Sequence, residues 1–169
     1  YFEHVDHRIL LTLIGQKACD TQTRELIQKI ISSFNNGLPL GNLTSQLFAN
    51  IYLNPFDHYS TEVLHPAFYI RYCDDFILAH PSKQWLMDQI PQMSRYLTQR
   101  LHLTLHPHKI VLRPFHWGID WLGYVLFPDR RLVRPRTRRR LWKNVATRID
   151  RYFEGTYGGA SLNSTFSSY

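Results

Sequence analysis

Cysteine is scarce in this chain of 169 residues: Cys19 and Cys73 are the only two, and neither lies in a spacing used for metal or redox chemistry. That usage fits free thiols in a reducing compartment, so the expected location is the cytoplasm. There is no run of about 18 apolar residues and no basic leader ahead of an apolar stretch, which leaves no sequence argument for membrane insertion or secretion. No internal repeat is visible. Acids are nearly missing from the last forty residues. Residues 130–169 hold ten Lys/Arg against two Asp/Glu, whereas residues 1–129 hold ten against eleven. The whole formal charge of +7 therefore belongs to one end. Such a gradient suits an anionic polymer held at that end and acid-dependent chemistry elsewhere, with a merely solvated basic face as the simpler alternative.

What is present suffices for a core, since 44% of the residues are hydrophobic and 14% aromatic. The first residue is Tyr1, and a helical pattern starts only a few residues later, so both ends read as cuts in a longer protein. Val5, Ile9, Leu10, Leu13 and Ile14 recur at helical spacing behind Asp6, a candidate N-cap, which predicts a helix from about Asp6 to Lys17. Leu26, Ile27, Ile30, Ile31 and Phe34 predict a second, capped by Asp20 or Thr21 and stopped at Asn35-Asn36-Gly37. Ser45 to Leu53 reads as a buried helix, continued or kinked at Pro55. Phe68 to Tyr72 and Phe76 to Ala79 are β-prone runs around Cys73-Asp74-Asp75, which predicts a hairpin with the acids at its tip. Leu86, Ile90, Met93, Leu97 and Leu101 form a helical stripe, with Pro91 a candidate bend. Ile110 to Phe115 and Ile119 to Phe127 look like a second strand pair, and Leu141, Val145, Ile149 and Tyr152 define a last helix with a basic outer face. The order predicts an α+β fold with helices on one face of a small antiparallel sheet.

An Asp-Asp pair in a loop is usually only solvated. Here its flanks give it meaning. Adjacent strand residues point to opposite faces, so both carboxylates reach one site only from a tight turn, which apolar strands would hold rigid. The like charges repel unless a cation joins them, and hard oxygen donors suit Mg²⁺ or Mn²⁺. A two-metal phosphoryl-transfer site needs a further acid to bridge ions about 4 Å apart.

Tyr72-Cys73-Asp74-Asp75 resembles the tyrosine-x-aspartate-aspartate motif of reverse transcriptases, and other segments resemble further motifs of that family in the right order. Tyr1-Phe2-Glu3-His4-Val5-Asp6-His7 looks like the tail of the first palm motif. Gly37-Leu38-Pro39-Leu40-Gly41, with Asn42 to Gln46, looks like the nucleotide-side loop and helix start. His106-Pro107-His108-Lys109 is similar to the segment with the palm lysine, and Trp121-Leu122-Gly123-Tyr124 to the primer-grip hairpin. Leu40 and Gln46 depart from the commoner glutamine and proline of that loop. The Gly-x-x-x-Ser-Gln pattern of Gly41 to Gln46 is similar to the enzymes of diversity-generating retroelements, which copy a template RNA with errors at adenines.

The resemblance implies RNA-templated addition of deoxynucleotides to a DNA primer, with Mg²⁺ as cofactor and Mn²⁺ as its substitute, and a basic accessory protein as a further partner. It implies a polymerase palm over residues 1–128, cut at its N-terminal side, and over residues 129–169 a basic connection and the start of a helical thumb. Asp74 would bind the metals directly with Asp75 in support. The bridging aspartate would lie upstream of Tyr1, leaving this chain inactive by itself. Phe2 would be the ring that excludes a ribose 2′-hydroxyl, or else plain core. Leu40, Gly41, Ser45 and Gln46 would lie on the nucleotide side, and Trp121, Leu122, Gly123 and Tyr124 would grip the primer. Lys109 would neutralise or protonate the leaving pyrophosphate, or simply meet a phosphate or solvent.

Arg134, Arg136, Arg138, Arg139, Arg140 and Lys143 follow the grip and would hold the duplex by charge and shape, although any such run also reads as a nuclear-localisation signal. His102, His106 and His108 lack a fourth ligand in zinc spacing. The rival readings are a group II intron maturase, a retron or CRISPR-associated enzyme, against which Gln46 argues, and a non-catalytic nucleic-acid-binding remnant.

Overall fold

The computed structural model describes residues 1–17, 20–39 and 41–154. Cys19 and Leu40 lie outside the described residues, as does the chain after 154. Two compact units are formed, Tyr1–Ile110 and Val111–Tyr169.

In the first unit each early helix starts where a side chain satisfies its free N–H groups. Asp6 accepts from the backbone of Arg8 at 2.8 Å and of Ile9 at 3.4 Å, opening α1 (His7–Gly15). Asp20 caps α2 (Thr21–Ser32) through Thr23 N–H at 2.7 Å. Asn42 caps α3 (Leu43–His58) through Thr44 N–H at 3.1 Å. Pro55 does not end α3, which runs on into a wider π-helical turn over Tyr59–Leu64 and stops at His65, left-handed with φ 52°. The hairpin strands are β1 (Phe68–Tyr72) and β2 (Asp75–Ala79). α4 (Lys83–Leu101), capped by Ser82, passes through Pro91 and ends at left-handed His102.

The core gathers on α3, whose Phe48, Ala49, Tyr52, Leu53 and Phe56 are all buried. Met93, Leu97 and Leu101, one turn apart on α4, join it, as do Leu10 and Ile14 of α1. Phe56 is fully enclosed, with the rings of Phe76, Tyr96 and Tyr69 centred 5.0, 6.2 and 6.5 Å away. Burying such a ring contributes roughly 1.5–3 kcal/mol. Tyr52, equally enclosed, donates its hydroxyl to the Leu101 carbonyl at 2.6 Å and accepts from Asp6 N–H at 3.2 Å, linking three helices. The hairpin alternates over this core: Tyr69 and Arg71 turn inward while Phe68, Ile70 and Tyr72 are exposed. A lone two-stranded hairpin is marginal in water, so its inner face on the core is what holds it.

The second unit is a three-stranded antiparallel sheet, β3 (Ile119–Trp121), β4 (Tyr124–Leu126) and β5 (Arg131–Val133), followed by α5 (Pro135–Phe153). Pro135 occupies the first turn, where its missing N–H is harmless. Along α5, Val145 is the buried residue. The expected strand from Ile110 to Phe115 is not formed. Its residues lie between 3₁₀ turns at Pro107–Lys109 and Phe115–Trp117, and Val111 is 70% exposed. Arg131–Val133 takes the place beside β4 instead. The chain is mixed α+β, with five α-helices and two small antiparallel sheets among the described residues, the arrangement expected of a palm fragment backed by helices.

Candidate active site and nucleic-acid interface

Tyr72 pairs with Asp75 in the hairpin register, so Cys73 and Asp74 alone make the turn. Cys73 has φ 54°, the left-handed conformation that two-residue hairpin turns demand. For a residue with a Cβ this stores on the order of 1–3 kcal/mol, which the surroundings must oppose. Asp74 at the turn and Asp75 at the head of β2 are both exposed.

The opposition comes from Arg71, one rung below the turn. Its Nε and Nη2 donate to the two carboxylate oxygens of Asp57 at 2.7 and 2.5 Å. Its Nη1 donates to Asn50 Oδ1 at 3.1 Å and to the carbonyl of Cys73 at 2.8 Å. Tyr69 completes the set by donating its hydroxyl to Asp57 at 2.7 Å. Asn50 and Asp57 are seven residues apart and so share one face of α3. The Asp57 bonds hold the Arg71 pKa above its ordinary value, against the opposing effect of burial. This tether was invisible in the sequence, because nothing links positions 57 and 71 until the hairpin lies on α3.

The segment with Phe2 is tied to the same helix, since Tyr1 donates its hydroxyl to the Ala49 carbonyl at 2.7 Å. Burial raises the Tyr1 phenol well above its ordinary pKa; Arg71 opposes the rise, while Tyr52, Asp74 and Cys73 add to it. Tyr1 is thus within electrostatic reach of the hairpin tip. Phe2, half-buried, meets the Tyr1 ring edge-on at 5.3 Å. Its carbonyl accepts from Leu38 N–H at 2.9 Å, and Gly37 lies so close that an added Cβ would strike the Phe2 oxygen. Gly41 and Gln46 are exposed, whereas Ser45 is 1% exposed with its hydroxyl unpaired. Leu40 lies outside the described residues.

Lys109 is exposed and ends a 3₁₀ turn. Asp6 is occupied as the α1 cap and pairs with His102 Nδ1 at 3.2 Å. No group of three or more His, Cys, Asp or Glu gathers into a metal cage among the described residues. The oxygens of Asp74 and Asp75 have the hardness that Mg²⁺ or Mn²⁺ requires, but two carboxylates are only part of a coordination shell.

In the second unit Trp121 pairs with Tyr124, which leaves Leu122 and Gly123 as the turn, with φ 49° and 87°. Positive φ at both positions is the type I′ pattern, suited to the strand twist. The Gly123 carbonyl accepts from Arg134 N–H at 2.8 Å, and the Arg134 guanidinium pairs with Asp120, so Arg134 is committed to its own fold. Arg136, Arg138, Arg139, Arg140 and Lys143 lie on α5, and all five are exposed.

A family model described as reverse transcriptase (RNA-dependent DNA polymerase) matches residues 1–126. The chain belongs to the reverse transcriptase family. Among curated proteins it is similar to Protein YkfC of Escherichia coli (strain K12), 27% identical over 82% of this chain and 46% of that protein. The chain thus spans about half the length of the relative it matches. No helix among the described residues is long and apolar enough to cross a membrane.

Proposed function

We propose that the protein to which this chain belongs performs RNA-templated DNA synthesis by two-metal nucleotidyl transfer. The observation that supports it most is the placement of Asp74 on a two-residue turn tethered to α3 through Arg71, with Asp75 next to it at the head of β2, in a chain whose residues 1–126 match the reverse transcriptase family. Asp74 would hold Mg²⁺ directly with Asp75 supporting it; once bound, the ions supply charge stabilisation and an activated primer 3′-hydroxyl. Phe2, whose neighbour Tyr1 is tied to α3, would exclude the ribose 2′-hydroxyl, and Gly41 and Gln46 would face the nucleotide. Lys109 would offer a cation to the leaving pyrophosphate. Trp121 to Tyr124 would hold the primer, and the α5 cations the duplex.

The Gly-x-x-x-Ser-Gln pattern at Gly41 supports the finer assignment to a diversity-generating retroelement, with its template RNA and basic accessory protein as partners. The 169 residues alone are inferred to be inactive, because no third acid joins Asp74 and Asp75 among the described residues and the second ion needs a bridging carboxylate.

Primer extension on an RNA template, with Mg²⁺ and then Mn²⁺, tests these readings together. Extension by the longer parent, abolished by Asp74→Ala, is the expected result. Substitutions concentrated opposite template adenines would favour the retroelement assignment, and faithful copying a maturase-like enzyme. Duplex binding without incorporation by the parent would leave a nucleic-acid-binding remnant. Robust extension by the 169 residues, lost in Asp74→Ala, would show that this chain holds its own third ligand.

A further inference from the structure

We propose that Arg71 and Asp57 are positioning residues for catalysis, a clamp that presets the Cys73-Asp74 turn, and with it Asp75 at the head of β2, before any metal or nucleotide arrives. The inference rests on the polymerase reading above and adds a device to it.

Arg71 spends its guanidinium in two directions. One edge forms the fork to Asp57, and the remaining nitrogen divides between Asn50 and the backbone of Cys73. A planar fork of fixed geometry transmits position in a way that a flexible ammonium does not. The arginine and aspartate side chains are 10% and 27% exposed, so water competes little for these bonds. Arg71 therefore fixes the carbonyl of the one residue that the turn forces into a left-handed conformation. The carboxylate next in sequence follows that carbonyl.

The anchor at the other end matters as much. Asn50 and Asp57 lie on the same α3 that carries Ser45 and Gln46 near its start and receives the Tyr1 hydroxyl at Ala49. A single rigid helix thus sets the metal turn, the Phe2 segment and the nucleotide-side residues in one frame. Sites of this kind work when the supporting side chains are themselves locked.

The test compares Arg71→Lys and Asp57→Asn with Tyr52→Phe, which breaks two core hydrogen bonds without touching the clamp. In the parent enzyme, Arg71→Lys and Asp57→Asn are expected to lower kcat by about 10²-fold with KM for the deoxynucleotide little changed, as displacement by about 1 Å does. Tyr52→Phe should lower the unfolding midpoint comparably yet leave kcat within about threefold of the parent, a difference that a purely structural clamp would not produce.

A second arm needs no activity. Amide hydrogen exchange on the metal-free 169-residue chain should accelerate at Asp74, Asp75 and Phe76 in the clamp variants and stay unchanged in β3 and β4. Unchanged exchange at the tip in a folded variant, or an unchanged kcat, overturns the clamp. A parent that extends no primer overturns the polymerase reading instead, and the exchange arm then decides the clamp alone. Should Arg71→Lys fail to fold, Asp57→Asn carries both arms.

Discussion

Asp6 shows how one carboxylate is committed to the fold. One of its oxygens accepts the backbone N–H groups of Arg8 and Ile9, and the other meets His102 Nδ1. Partial burial raises its pKa, but the two backbone bonds and His102 outweigh that and hold it below the ordinary carboxylate value; Glu3 and His4 line the same recess. A depressed folded pKa means stability that is fully present above the unfolded value of about 3.9 and lost as pH falls through the folded value. Asp6→Ala is therefore expected to lower the unfolding free energy by about 1 kcal/mol at neutral pH. Urea titrations should show that deficit shrinking below about pH 3.9. A deficit independent of pH would mean that the cap does not act as a carboxylate. The N-cap was legible because Asp before an apolar helical stripe has one common use. Asp57 was not legible, since its partner Arg71 comes from a strand whose position only folding decides.

At the scale of elements, local chemistry explains both the agreements and the misses. The hairpin was readable from two apolar runs flanking a polar turn, and the helices from caps and stripes. Ile110, Val111 and Leu112 have strand propensity, but Pro107 and Pro114 bracket them and all three stay exposed, Val111 most, so propensity alone forms no strand. Arg131–Val133 was hidden in a charge run because three residues carry no period. Pro55 left the helix open to continuing or kinking in the sequence, and the helix continues through it, whereas the π-helical turn that follows has no sequence signal.

The glycines of the 37–41 loop separate space from backbone conformation. Both Gly37 and Gly41 have positive φ, 56° and 85°, but a Cβ at Gly37 would strike the backbone of Phe2 and Glu3 within 2.7 Å, and at Gly41 it meets nothing within 4 Å. Gly41→Ala should cost about 1–2 kcal/mol, the left-handed penalty alone. Gly37→Ala should cost at least about 1–3 kcal/mol more, since backbone must move. Equal losses in chemical denaturation would mean that the loop yields freely and does not hold Phe2 in place.

Across the whole molecule, charge divides as the compact units do. Tyr1–Ile110 holds nine Lys/Arg and nine Asp/Glu, while Val111–Tyr169 holds eleven and four, so the entire +7 is carried by the second unit. A neutral unit with an acidic turn and a strongly basic one suit a division between chemistry and grip, because phosphate neutralisation dominates affinity for a duplex. Within the basic unit the structure sorts the candidates. Arg134 is spent on Asp120, whereas Arg138, Arg139 and Arg140 are exposed on α5, whose buried residue is Val145.

Changing Arg138, Arg139 and Arg140 together to Ala should therefore leave the helix intact: alanine is the better helix former, and like charges are removed. Affinity for an RNA/DNA duplex should fall, and the slope of log affinity against log salt should shrink by about 0.9 for each phosphate that is no longer neutralised. Arg134→Ala should act the other way, lowering stability while changing the salt slope little. Titration of both variants at several salt concentrations, with circular dichroism to check the helix, separates grip from fold. An unchanged slope and affinity in the folded triple variant would remove this face of α5 from the binding surface and assign the duplex to other cations of the second unit.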